Sequence, residues 1–246
     1  RKKVIYLAID AHDESYYGKK QQWTVGGRRK QSTNKFTRII AMYLVHPGRP
    51  ILVALSTHKG TETETAERMM KDILLFFNKE QWQINRIIVL ADGKYYRYHF
   101  LQFLQSENID YVIRAYSSRN KLKHTKMLRT KKNYAPFSPL SFYCTFKPHT
   151  PHALNLRTIA YYDTDDGKER YLVTSLKRRS TLEILSFYKR RFRIENAFRD
   201  MRFLLLRTCS RDGRVRPLHF PPFSPLPPPS SPLLLLPPYA FLLFTP

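Results

Sequence analysis

Residues 4–10 read VIYLAID, six apolar or aromatic residues closed by a carboxylate. An unbroken apolar run with β-branched members fits a short strand buried on both faces, which puts Asp10 at the mouth of a central strand. The same form returns at residues 87–92, IIVLAD, with Gly93 next. Two buried strands thus end alike, each delivering one aspartate.

Working outward from these strands gives the rest of the layout. After Asp10 the segment AHDES leads into Tyr16, Tyr17 and Gly18, followed by a basic loop with Lys19, Lys20, Arg28, Arg29, Lys30 and Lys35. Residues 36–45 and 51–56 read as two strands joined by the turn HPGRP, an antiparallel hairpin. Residues 61–78 read as a helix capped by Thr61 or Thr63, with acidic residues in its first turn. Residues 97–107 read as a second helix and 111–114 as a further strand. Strand, strand, strand, helix, strand, helix, strand is the order of an α/β fold, a mixed sheet flanked by helices, and it assigns residues 1–114 to the first part of a core.

Residues 115–180 differ in texture. RNKLKHTKMLRTKK at 119–132 is dense in Lys and Arg, including Lys121, Lys123, Lys126 and Arg129, and short strand-like runs follow at 142–146, 156–162 and 171–175. This reads as a β-rich insertion with a basic entrance. DTDDG at 163–167 lacks the later bidentate Glu of a calcium loop and reads as a hairpin turn. Residues 181–216 then supply a final helix. Its central stretch, residues 188–202, is YKRRFRIENAFRDMR. At about 100° per residue, Tyr188, Arg191, Glu195 and Arg202 share a face about 60° wide. Beside it Phe187, Ile194, Phe198, Met201 and Leu205 form an apolar stripe able to dock on a core.

A formal net charge of +24 and pI near 10.2 point to a polyanionic partner, since phosphate binding offsets the self-repulsion of such an excess. The 14% aromatic content argues against a disordered basic tail. Cys144 and Cys209, far apart, suggest no disulfide framework, and Cys144 with His149 and His152 lacks the second cysteine of a zinc knuckle. No stretch is long and apolar enough to span a bilayer and no signal peptide is seen, so no membrane role is expected. The chain opens on Arg1 rather than Met, directly before a strand, as if an N-terminal portion were left out. From residue 217 to 246 it has no Lys, Arg, Asp or Glu and holds eleven of its seventeen prolines. That tail reads as irregular, the product of a frameshift or an eroded reading frame.

Two strand-end aspartates and one glutamate on a later helix, 82 and 103 residues apart (10 to 92, 92 to 195), fit a two-metal phosphoryl-transfer site. Hard divalent cations take carboxylate oxygens, and a pair of them activates the attacking oxygen and stabilises the leaving one. The cations around Glu195 then become phosphate contacts. Asp13 competes with Asp10 as the first ligand; Asp10 follows the apolar run directly and is preferred.

Tyr188, two residues, Arg191, three residues, Glu195, six residues, Arg202 resembles the tyrosine-arginine-glutamate-lysine signature of DDE transposases of the insertion-sequence-four superfamily, the transposon-five group. The opening LAIDAHDESYYG at residues 7–18 looks like that of its archaeal-type branch. The resemblance covers nearly the whole chain apart from the missing N-terminus and the tail, and marks it as a truncated or degenerate copy. It implies a ribonuclease H-like fold with a β-rich insertion before the catalytic helix. It also implies metal ligation by Asp10, Asp92 and Glu195, with two Mg2+ or Mn2+ ions expected. Tyr188, Arg191, Arg199 and Arg202 would grip phosphates of the transposon end. The expected partners are double-stranded DNA, as transposon ends and target, and a second copy of the chain in a homodimeric DNA complex. The expected location is the cytoplasm of a prokaryote, at the nucleoid. Relatives nick DNA with water and use the freed 3′-hydroxyl for strand transfer, some through a hairpin. Two departures stand out: Arg202 replaces lysine by a planar fork, and Asp92-Gly93-Lys94-Tyr95 replaces the usual Asp-Arg-Gly-Phe. The alternatives are a catalytically dead remnant that binds DNA non-specifically and a related ribonuclease H-fold nuclease.

Overall fold

The computed structural model describes residues 3–19, 24–30, 32–45, 50–57, 61–115, 139–146, 153–163 and 167–194. The basic stretch at 119–132, the positions from Glu195 onward and the proline-rich tail lie outside the described residues, as do His149 and His152. The chain divides into two units, residues 1–8 with 83–192 and residues 9–82 with 193–246. Among the described residues no helix is long and apolar enough to cross a membrane.

The first unit holds the start of β1 (Lys3–Ser15), then β5 (Ile84–Ala91), β6 (Asp110–Ala115), β7 (Leu140–Phe146), β8 (Leu154–Asp163) and β9 (Lys168–Thr174). Their order in the sheet is β1-β5-β6-β9-β8-β7. β5 and β6 are parallel, with Ala91 opposite Ile113, and the connection between them carries α2 (Tyr98–Ser106). β6 pairs antiparallel with β9, β9 with β8 and β8 with β7, so the strands expected of the insertion continue the sheet that contains β5 and β6. The central strands are apolar on both sides: Val89, Leu90, Val112, Ile113, Leu172 and Val173 are all buried, as the uninterrupted runs require. β8 and β9 close on each other at Asp163 and Lys168, and Gly167 just before β9 has φ of +64°, a left-handed value that favours glycine.

The second unit holds the continuation of β1 with β2 (Thr24–Lys30), β3 (Thr33–Leu44), β4 (Ile51–Thr57) and α1 (Glu62–Lys79). β3 pairs antiparallel with both β2 and β4. α1 starts at a capping box: the Thr61 hydroxyl accepts from the Glu64 backbone N–H, and the Glu64 carboxylate accepts from that of Thr61. Met69, Met70, Ile73 and Phe77 form its buried stripe.

Two boundaries differ from the sequence reading. β1 does not stop at Asp10 but runs on to Ser15. Burial changes at Asp10, where buried Leu7, Ala8 and Ile9 give way to half-buried residues, so the apolar run marks the end of the buried part of the strand and not the end of the strand. The basic segment after Gly18 contains β2, which pairs Thr24 with Thr37 and Val25 with Phe36. A Cβ on Gly27 would stand 3.0 Å from the Phe36 ring, so glycine lets the strand lie close against that ring. Its cations hid it, because a strand anchored by so few apolar residues gives no period-two signal.

Candidate active site

In the first unit, Asp92 follows the last residue of β5 and caps a 3-10 turn, Gly93–Tyr95, its Oδ1 accepting from the Lys94 N–H at 2.9 Å. Among the described residues its other carboxylate oxygen takes no hydrogen bond. Because Ala91 stands opposite Ile113 in a parallel pair, the next residues along, Asp92 and Arg114, are neighbours at the same end of the sheet. Arg114 in turn sits opposite Leu172 of β9, and directly paired residues share a face.

The third element is α3 (Thr181–Lys189), which opens with a second capping box, between Ser180 and Glu183. It buries Ile184, Phe187 and Tyr188. The Phe187 ring lies 5.3 Å from that of Tyr6 on β1, and the Arg190 guanidinium covers the Tyr6 ring at 4.3 Å, a cation–π contact. Within the expected helix one turn, Arg190–Phe192, is 3-10, with α-helix again at Arg193 and Ile194; in a 3-10 turn residues three apart eclipse. Arg191 therefore comes over the Tyr188 ring at 5.6 Å and the Phe192 ring at 5.1 Å. Both residues face inward, Tyr188 being 2% and Arg191 6% exposed.

The Tyr188 hydroxyl is buried and, among the described residues, closes no hydrogen bond of proper geometry, although Arg191 stands near enough to act on it. Burial raises its pKa. Arg191 and Arg114 pull it down, and Asp92 pushes it up. Three charged groups from β6, the 3-10 turn after α3 and the end of β5 thus act on one buried hydroxyl. Arg114 is the member that sequence reading passed over. The signal was present: it closes the apolar run YVI at 111–113 as Asp92 closes IIVLA.

In the second unit Asp10 accepts from the Ala11 N–H at 2.9 Å. Side chains alternate along a strand, so Asp10, His12 and Glu14 share one face of β1 and Asp13 faces the other way. His12 Nε2 is 2.8 Å from Glu14 Oε1. Asp13 receives both a 2.6 Å and a 2.8 Å hydrogen bond from Arg38 of β3, and Arg38 also donates to Glu62 in the first turn of α1. Glu195, Arg199, Arg202, Lys121, Lys123, Lys126 and Arg129 lie outside the described residues. Among the described residues no three His, Cys, Asp or Glu side chains gather as a metal site. The donor chemistry at Asp10 and Asp92 nonetheless fits Mg2+ or Mn2+, since both offer carboxylate oxygen and one oxygen of Asp92 takes no hydrogen bond among the described residues.

Residues 5–217 match a family model described as a Transposase DDE domain. No curated protein matches the chain. Among solved structures, the piggyBac transposase synaptic complex with hairpin DNA matches with a TM-score of 0.57 at 15% identity, over 87% of this chain and 44% of that one. The chain therefore spans less than half the length of that relative. Marinitoga piezophila Argonaute in complex with 5′ OH guide RNA and target DNA matches with a TM-score of 0.30 at 11% identity, over 82% of this chain and 26% of that one. The piggyBac likeness shows the fold, a ribonuclease H-like α/β architecture.

Proposed function

The chain belongs to the transposase DDE-domain family, and we propose that it is a catalytic core that cuts DNA at transposon ends and joins the freed ends to target DNA. The observation that supports this best is the meeting of Asp92, Arg114, Tyr188 and Arg191 at one end of the sheet in the first unit. A carboxylate and two guanidinium groups gathered around one buried hydroxyl suit a phosphodiester whose charge grows during displacement.

Asp10, Asp92 and Glu195 would hold two Mg2+ or Mn2+ ions. When bound, such ions lower the pKa of the attacking water and neutralise the leaving oxygen. The chain's own part is positional. Arg191, fixed between two aromatic rings, and Arg114, fixed in β6, would hold the two non-bridging phosphate oxygens, with the Tyr188 hydroxyl as a further donor to one of them. In the first step a water oxygen bonds to phosphorus and the bond to the 3′ oxygen breaks, leaving a 3′-hydroxyl and a 5′-phosphate. In the second that 3′ oxygen attacks a phosphodiester of the target and a strand of the target is cut in exchange.

The test is plasmid cleavage, with magnesium or manganese, on DNA carrying the element's own ends. Wild type is expected to nick it, while Asp92→Asn and Glu195→Gln bind the same DNA and do not. Undiminished nicking by either variant rejects the assignment.

A further inference from the structure

The other end of the same sheet carries a basic loop that the cleavage chemistry does not use. Leu176 to Arg179 links β9 to α3, and it is held from beneath by Arg157 of β8, which is 9% exposed. One Arg157 nitrogen, Nη1, donates to the carbonyls of Leu176, Lys177 and Arg179 at 2.7, 3.2 and 2.6 Å, while Nε donates to the Ser141 hydroxyl at 2.8 Å. With three of the loop's carbonyls turned toward one buried guanidinium, the exposed side chains of Lys177, Arg178 and Arg179 are presented outward.

Their placement runs against helix electrostatics. The N-terminus of α3 carries partial positive charge, and cations belong at the other end of a helix. Arg179 is answered by Glu183 at 3.1 Å, but Lys177 and Arg178 make no ion pair among the described residues. Lys177 also borders a polar cleft of about 370 Å³ lined by Asn108, Asp110, Tyr143 and Asn155 among others. The acid of that cleft is already engaged: Asp110 takes Arg86 at 2.6 Å and the Ser175 hydroxyl at 2.6 Å. What the loop offers a ligand is therefore the charge of Lys177 and Arg178, which no acid among the described residues answers, on a backbone held by Arg157 and beside hydrogen-bonding amides.

We infer that Lys177 and Arg178 form a second contact for the phosphate backbone of duplex DNA, remote from the carboxylates. α3 connects the two places. It has nine residues, about 13 Å at 1.5 Å per residue, with the loop at its start and Tyr188 near its end. A duplex running along it from the site at Asp92 would meet the loop about four base pairs away, at 3.4 Å per step. This rests on the reading of the chain as a DNA-cutting core and adds a surface that positions the flanking duplex.

The test uses the full chain and uncut duplex carrying the element's end. Lys177→Ala with Arg178→Ala should lower the slope of log affinity against log salt by about 2, close to 0.9 for each lost phosphate. It should also abolish the phosphate-ethylation interference expected about four base pairs from the cut site. A control of equal charge, Lys71→Ala with Lys79→Ala on α1, should leave slope and interference pattern unchanged. An unaltered slope in the loop variant, or an equal loss in the control, overturns the proposal. Its failure is distinguishable from failure of the functional reading, because wild-type nicking lost in Asp92→Asn keeps that reading whatever the loop does.

Discussion

Arg38 grips Asp13 through both carboxylate oxygens, at 2.6 and 2.8 Å, on the face of β1 that Asp10 does not share. With its third donor on Glu62, Arg38 ties β1, β3 and the start of α1 together. A carboxylate so engaged is a structural anion, which favours Asp10 over Asp13 for the proposed metal-binding role. Asp10→Asn should lower nicking at least about a hundredfold, as loss of several kcal/mol of metal-borne charge stabilisation implies. Asp13→Asn should lower stability by about 1–3 kcal/mol and leave nicking below the melting range nearly intact. Plasmid nicking and thermal unfolding of both variants check this, and the reverse pattern moves the ligand role to Asp13.

Arg114 gives the next expectation. Like Asp92, it is one residue past the parallel Ala91–Ile113 pair of β5 and β6, and it acts on the Tyr188 hydroxyl. Arg114→Met should cut single-turnover nicking roughly 10- to 100-fold, the worth of one charge-assisted hydrogen bond or slightly more. Arg114→Lys should recover part of it, because charge returns without the planar fork. Equal nicking by all three proteins would show that Arg114 serves the fold alone.

The central strands were legible because burial on both faces leaves unbroken apolar runs, and each run stops where a charged residue faces the strand end. Asp92 and Arg114 obey this rule, and only the first was recognised, since a lone arginine at a strand end resembles a solvated one. Asp10 obeyed it in part, because the strand outlasts its buried half. The opposite facing of Asp10 and Asp13 needed only the knowledge that the strand continues, and half-buried AHDES does not advertise that. The inward turn of Tyr188 and Arg191 was within reach of the helical wheel, since buried Ile184, Phe187, Tyr188, Arg191 and Ile194 keep helical spacing; it was missed because a tyrosine hydroxyl and an arginine read as solvent-facing groups.

The capping box of α3 makes an acid-sensitive joint. Hydrogen bonds from Ser180, backbone first and then side chain, hold the Glu183 carboxyl below its ordinary range, with Arg179 adding to the effect. A depressed carboxyl contributes stability above its unfolded value and loses it as pH falls through the folded one. The start of α3 should therefore loosen below about pH 4.5, the ordinary value for glutamate. Amide hydrogen exchange at residues 181–184 should rise there, and Glu183→Gln should remove the pH step while slightly raising exchange at neutral pH. An unchanged pH step in Glu183→Gln would assign it to other groups.

Tyr188→Phe separates structure from function at the site. Among the described residues the buried hydroxyl has no well-formed hydrogen bond, and removing an unsatisfied buried polar group is neutral or stabilising by about 1 kcal/mol. Burial also keeps it protonated, its pKa raised above 10, so it remains a donor throughout any ordinary assay. If that donor is reserved for a phosphate oxygen, Tyr188→Phe should melt at the same temperature as wild type or higher, while nicking falls about tenfold with no change in its pH profile below 10. A variant that melts lower and nicks normally would make the hydroxyl a structural group and remove Tyr188 from the phosphate contacts.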